Sequence, residues 1–295
     1  MELRTNRNKV VAQSVMGQLH HPVIKPGKVH RVGYDGIGRV GPAHGGITYD
    51  IEIGDSCMGL AGDHIEPGAS TKNPDIEENR AYTHLCCVGN TAVVVSGAAT
   101  GDRGFVTGKH GGIDHVMMWF SQETLGKMTC NDRVQVKAFG QGLALLDYPD
   151  VRCMSLDPDL LERMAVDMEE KDGKLYVPVV TVIPAHCMGS GLGQAESYGS
   201  DYDIMTRDRR AFEACHMGQL RFGDLVYIQD HVNDYGPDYL EGAGSLGVII
   251  HGDSNLCGHG PGVTVLMTSA SGAIQPKLCG HANIAHYLGT KKCDR

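Results

Sequence analysis

A mainly β fold, β-rich α+β and divided into several units, is what this sequence predicts, on three observations. Gly accounts for 40 of the 295 residues, roughly twice the usual share, so tight turns and bulges should be numerous. Aromatic residues make up 6% of the chain, with a single Trp, which leaves the core to Val, Ile, Leu and Met. Short apolar runs of strand length, bounded by Gly, Asp and Pro, recur along the chain, and one segment alone has clear helical periodicity.

The bulk properties narrow the function classes. Hydrophobic residues at 41% and charged residues at 21% are ordinary for a globular protein with an ample core. A net charge of -9 argues against an unassisted binder of nucleic acid or of anionic membranes. No apolar run approaches a membrane span, and Met1-Glu2-Leu3-Arg4 has no secretory character, so a cytoplasmic location is expected. The ten cysteines include no C-x-x-C pair, which excludes zinc ribbons and thioredoxin-like motifs. Reduced thiols without disulfides are therefore the expectation.

Taken in order, residues 1–79 read as an N-terminal β region that packs with the C-terminal region. Val10-Val11-Ala12, Val29 and Val32 are strand positions, 33–46 is a Gly-rich segment carrying His44, and Ile47 to Ile53 alternates as a half-buried strand. Asp63, His64 and Glu66 follow in one polar loop, where residues of metal-ligand chemistry also serve as ordinary turn residues. Residues 80–146 read as a separate module. Ala92 to Val95 is a strand, 97–104 a loop, and Phe105-Val106-Thr107 its hairpin partner, with Val116 to Phe120 and Val134 to Phe139 as further strands. The phrase Gly89-Asn90-Thr91-Ala92-Val93-Val94-Val95-Ser96-Gly97, with Gly101 and Gly104-Phe105-Val106, resembles the KOW-type pattern of SH3-like barrels. That resemblance implies a barrel here. Thr100 replaces the basic residue usual before the loop glycine, so no RNA-binding role is carried over.

Residues 147–295 read as a larger, Gly-rich, β-sandwich-like region with one helix over 155–172. Asp157 is suited to N-cap it, Pro158 to open it and Gly173 to stop it, while Leu160, Leu161, Met164, Ala165 and Met168 form one apolar stripe. A buried strand from Leu175 to Ile183 follows. Gly189, Ser190, Gly191 and Gly193 have the composition of an amide nest that binds an anion. Asp201 and Asp203 fall on one side of an extended stretch, where two carboxylates need a cation or a neighbouring Arg such as Arg207 between them.

The candidate site lies further on. Val226 to Gln229 leads to His231, and Leu246 to Ile250, apolar on both faces, reads as a central strand. If the strand persists, His251 and Asp253 emerge on one face, and Gly258, Gly260 and Gly262 let the chain fold back to bring His259 near. His251, Asp253 and His259 are accordingly the candidate metal ligands, Asp203 and His231 the candidate proton-transfer groups, and zinc the expected divalent ion. The same residues are also compatible with three polar loops in a Gly-rich β protein.

Several phrases together resemble a prokaryotic family, domain-of-unknown-function family 4438. They are Gly41-Pro42-Ala43-His44-Gly45-Gly46, Gly62-Asp63-His64-Ile65-Glu66-Pro67-Gly68, Thr107-Gly108-Lys109-His110-Gly111-Gly112, Met188-Gly189-Ser190-Gly191-Leu192-Gly193, Asp201-Tyr202-Asp203-Ile204 and Gly258-His259-Gly260-Pro261-Gly262. The resemblance spans nearly the whole chain and implies a mainly β, multi-domain structure. A shorter, gapped stretch, Tyr202-Asp203-Ile204 with Gly223-Asp224-Leu225-Val226-Tyr227, is similar to the acetamidase/formamidase type of amide hydrolase, which implies chemistry on small amides in a metal-containing, β-rich site. Two functions follow as expectations. One is a metal-dependent hydrolase of a small polar, amide-type substrate. The other is a non-catalytic protein holding a small anion at 189–193. In either case a small-molecule ligand and a homo-oligomer are expected, with neither nucleic acid nor membrane as partner.

Overall fold

The computed structural model describes residues 1–24, 30–33, 36–40, 44–194 and 198–291. The expectations for Val29, for the phrase Gly41-Pro42-Ala43 and for Cys293 fall outside these residues. The fold is mainly β, as the composition demanded, and is built on two principal sheets.

The first sheet is a closed barrel. Its strands run in the order Gln13–Leu19, Arg133–Ala138, Thr91–Val94, Arg103–His110, His115–Trp119 and Gly68–Lys72, with Gly46–Thr48 appended to the last. Gln18 and Leu19 pair with Lys72 and Thr71, which closes the ring. Closure leaves no free edge among the six strands. Arg133–Ala138 alternates exposed and buried residues along its length, as a one-sided strand should. The interior is filled by Leu19, Val94, Val106, Met118, Val134 and Val136, and Tyr82 from the helix Ile76–Leu85 packs into it. Four barrel strands come from the segment 80–146; the other two come from 13–19 and 68–72, so the barrel is completed by the chain's beginning.

The second sheet runs Arg152–Cys153, Gly262–Ser269, Asp238–His251, Leu225–Val232 and Thr181–Ile183, and the short strand Tyr202–Asp203 also pairs with Gly262–Ser269. The final nine residues of Asp238–His251 are all buried, in keeping with an apolar run covered on both faces. One of those faces packs on the barrel. Gly108 makes the contact possible, because a side chain there would lie 2.2 Å from Ile250 Cγ2. Lys109 and Thr264 then exchange hydrogen bonds between the two sheets, Lys109 N–H donating at 3.1 Å and its carbonyl accepting at 3.2 Å.

Three elements differ from the sequence expectation. The helix covers Pro158–Met164 rather than 155–172, although Asp157 does cap it by accepting from the Asp159 amide. Glu169–Lys171 instead pairs with Lys174–Val179 across Asp172-Gly173, both with positive φ. Asp-Gly is a strong hairpin signal, and here it prevails over the helical stripe. The strand expected at 47–53 ends at Thr48, because the Asp55 carboxylate accepts from the Glu52 amide and turns the chain. The run 175–183 is two strands, broken at Val180. The nine cysteines among the described residues are all free thiols, and no described helix is long and apolar enough to cross a membrane.

Candidate metal centre

The two sheets meet at a cleft of about 200 Å³ whose walls include His44, His64, His110, Asp201, Asp203 and His259. Each principal sheet delivers part of the set. From the barrel side come His110, at the end of Arg103–His110, and His64 and Glu66, in the loop before Gly68–Lys72. From the second sheet come Asp203 on its short strand, Asp201 just ahead of it, His251 at a strand end and His259 in the following loop.

The register of the second sheet explains the convergence. Gly262 lies directly opposite Asp203 on one neighbouring strand and opposite His251 on the other. Lacking a side chain, it leaves a gap that those neighbours fill. A Cβ there would lie 2.2 Å from His251 Nε2 and 2.4 Å from Asp201 Oδ2.

Asp203 is the hub. Its Oδ2 lies 2.8 Å from His259 Nδ1 and 3.4 Å from His64 Nε2, while its Oδ1 lies 3.5 Å from His251 Nε2. His64 Nε2 is 3.1 Å from His259 Nδ1, and His251 Nε2 is 3.1 Å from Asp201 Oδ2. His64, Asp203 and His259 form one group able to hold an ion; His110, Asp201 and His251 form a second beside it.

Behind the cleft, three of the imidazoles are fixed through Nδ1. His64 meets the Asp63 carboxylate at 2.9 Å, His110 meets Glu66 Oε1 at 2.5 Å, and His251 donates to the Gly252 carbonyl at 2.9 Å. An acceptor at Nδ1 fixes the ring orientation and turns Nε2 toward the cleft, the arrangement typical of metal-ligating histidine. Asp201 is oriented in the same way, Oδ1 accepting from the Gly111 amide at 2.7 Å. Asp201 Oδ2 and His251 Nε2, both buried, have no well-directed hydrogen bond. Buried polar atoms are nearly always satisfied, so two unsatisfied ones facing each other argue for a missing ligand. His64 also holds a left-handed backbone, φ 55°, a strained conformation of the kind that clusters at functional sites.

The electrostatics are those of a carboxylate-rich pocket. Burial by itself would raise the Asp203 carboxyl, but His251, His259 and His64 outweigh it and hold the group well below its usual range. Burial likewise disfavours the Glu66 carboxylate, and His115 and His110 more than compensate. His251 is pushed down by burial and then held well above the usual histidine range by Asp201 and Asp203. His44, half-buried on the wall, is lowered to about 4 by burial and by neighbouring His110.

The sequence-derived site residues divide. His251, His259 and Asp203 come together. Asp253 does not join them: the strand stops at His251, and the Asp253 carboxylate accepts from Thr206 Oγ1 at 3.0 Å, while its carbonyl accepts from the His64 amide. His231 is also elsewhere. A bulge at Asp230, whose φ is 53°, turns it into the core, where it stacks on Tyr202 and bonds Ser245 Oγ at 2.7 Å. The anion nest at 189–193 is not formed, because the Gly189, Ser190 and Gly193 amides already donate to the carbonyls of Asp203, Gly258 and Pro237. Ser190 and Gly191 nevertheless line the cleft. Imidazoles face the paired aspartates, His251 beside Asp201 and His259 beside Asp203. His64, His110 and Asp201 are the ligand-type residues that sequence reasoning left out of its metal set. Their signal was the pairing of Asp63-His64 and the i, i+2 spacing of Asp201 and Asp203.

A closed barrel joined to a second sheet, with a His/Asp cluster at the seam, defines the class: a mainly β, two-part protein with a candidate metal centre. The chain belongs to the DUF4438 family of domains of unknown function, whose N-terminal part matches residues 30–162 and whose C-terminal part matches 164–288. It is similar to a solved structure, described as the crystal structure of TM1086, with 46% identity and a TM-score of 0.91 over 98% of this chain and 100% of that one. No curated protein matches it.

Proposed function

We propose that this protein is a divalent-metal-dependent hydrolase of a small, polar, amide-type substrate. The observation that carries the reading is the set of buried imidazoles, each fixed by an acceptor at Nδ1, with Nε2 of His64 and of His251 converging on Asp203 and His110 grouped with Asp201 and His251 beside them. A structural ion-pair network would need the same charges, but would not need Asp201 Oδ2 and His251 Nε2 to face each other without a directed hydrogen bond.

Nitrogen and carboxylate donors of this kind suit zinc, which would supply polarisation of a carbonyl and a water acidic enough to react near neutral pH. The chain's own residues do the rest. His64, His259 and Asp203 form the cradle, with Asp63 holding His64 in place. The cleft, about 200 Å³, admits only a small substrate. His44, on its wall, stands with its ring centroid 5.8 Å from that of His64 and 5.6 Å from that of His110. In this reading it takes a proton from the attacking water and returns it to the leaving amine. In the balance, water oxygen bonds to the carbonyl carbon, the C–N bond breaks and the proton leaves with nitrogen.

The test is elemental analysis of protein purified without a His tag, followed by assay of a panel of small amides with and without chelator. Bound zinc, and amide hydrolysis lost on chelation and restored by zinc, is the expected result. Metal-free protein that also fails to take up added zinc would overturn the reading.

A further inference from the structure

We propose that the cleft holds two divalent cations side by side, with the Asp203 carboxylate bridging them. This rests on the reading of the cluster as a metal site and specifies what that site contains. One position is bounded by His64 Nε2, His259 Nδ1 and Asp203 Oδ2; the other by His110, His251 Nε2, Asp201 and Asp203 Oδ1.

The spacing of the donors is the first argument. A tetrahedral ion with bonds of roughly 2.0–2.1 Å separates its ligand atoms by about 3.3 Å. In the first group the separations are 3.1, 3.4 and 2.8 Å. In the second, His251 Nε2 stands 3.1 Å from Asp201 Oδ2 and 3.5 Å from Asp203 Oδ1. These separations match the edges of a coordination polyhedron, and the two oxygens of one carboxylate are divided between the groups.

Charge is the second argument. Four buried carboxylates surround the cluster: Asp201 and Asp203 at the ion positions, Asp63 and Glu66 behind two of the imidazoles. Two divalent ions balance that charge with every imidazole neutral, the form in which imidazole ligates. With one ion, two of the imidazoles would have to stay protonated to balance the remaining charge, and a protonated imidazole cannot ligate.

The side chains behind the ligands complete the case. His64 and His110, one from each group, each have their own carboxylate at Nδ1, so both positions carry the outer support found at metal sites. Their rings are parallel within 1° with centroids 6.0 Å apart, which faces them toward neighbouring positions. In two-metal sites the ions lie roughly 3.5–4 Å apart and share a substrate between them.

The experiment is metal stoichiometry by mass spectrometry on the full chain, stripped with chelator and reloaded with Mn²⁺. It is done in a Cys279→Ser background, because Asp167, Cys279 and His281 form a further group of metal-ligand type. Electron paramagnetic resonance of the Mn²⁺ form is recorded alongside. Two equivalents with an exchange-coupled spectrum are expected, falling to one equivalent and an uncoupled spectrum in His259→Ala, whose side chain is 31% exposed. One equivalent in the unaltered site, or two without coupling, overturns the bridged pair while leaving a one-ion hydrolase standing. No bound metal overturns both. If His259→Ala fails to fold, the count and coupling of the parent protein decide the matter alone.

Discussion

Gly262 faces His251 across the sheet so closely that a single methyl group at residue 262 would lie 2.2 Å from the His251 Nε2 atom. The glycine's role is to leave room for the imidazole and the carboxylates that cross over it. Gly262→Ala should therefore displace His251 and Asp201 and abolish metal loading at their position. Overpacking of this kind typically costs about 1–3 kcal/mol, so the protein should remain folded. Metal content and thermal unfolding measured on one preparation separate the two effects; undiminished metal in a folded variant would refute the account.

Glu66 supports the site from one residue further back. It accepts from His110, sits 3.0 Å from His115 Nδ1 and also accepts from Ser70 Oγ at 2.5 Å. Glu66→Gln keeps the size and can still bond the rings, but removes the charge. Loss of such outer carboxylates typically lowers metal affinity by about 10–100-fold. Competition titration against a chromophoric chelator should show that drop. Affinity equal to that of the parent would assign Glu66 to the fold alone.

Much of this arrangement was legible in the sequence, and the limits have physical causes. Gly-rich composition and short apolar runs announced a mainly β chain, and the hairpin 91–107 carried the barrel pattern. Closure of the barrel by 13–19 and 68–72 is a long-range pairing that no local pattern encodes. His251 and His259 were found because one follows a buried strand and the other a glycine turn. His64 and His110 reach the same point from the barrel side, through the packing of the two sheets at Gly108 and Ile250 and at Lys109 and Thr264, which no local pattern encodes. Period-two counting put Asp253 on the His251 face, and His231 was read simply as the end of its strand; neither joins the cluster. The first lies beyond the strand's end, and the second lies just after an extra residue that reverses its facing.

Lys109 joins the two halves through a buried charge. Its side chain is fully inaccessible, and Nζ donates to the Tyr198 carbonyl at 2.6 Å and to Ser155 Oγ at 2.9 Å. Lys109→Met preserves the aliphatic stem and deletes those donors, leaving buried acceptors without their partner. Hydrogen bonds to charged groups are worth about 1.5–3 kcal/mol, and the loss should be of that size. Urea unfolding should show a lower midpoint with an unchanged slope. An unchanged midpoint would mean that the ammonium contributes nothing net.

His231 gives the protein an acid sensitivity that can be isolated. Burial lowers it to about 3, against an ordinary value of 6.5. The folded state therefore refuses a proton that the unfolded chain accepts below 6.5, and stability falls as the pH falls from there to about 3. Where the unfolded state holds one more proton, the slope is about 1.4 kcal/mol per pH unit. From pH 6.5 to 5 the contribution of His231 alone is thus about 2 kcal/mol. His44, lowered to about 4, acts in the same direction over part of that window. His231→Gln removes the titration while leaving Ser245 Oγ its bond with Thr268 Oγ1 at 2.8 Å. Urea unfolding of metal-free protein at pH 6.5 and 5 should therefore show a smaller acid loss in the variant than in the parent, by about 2 kcal/mol. Equal losses in the two proteins would mean that His231 takes up its proton in the folded state, and that burial against Tyr202 does not hold it neutral.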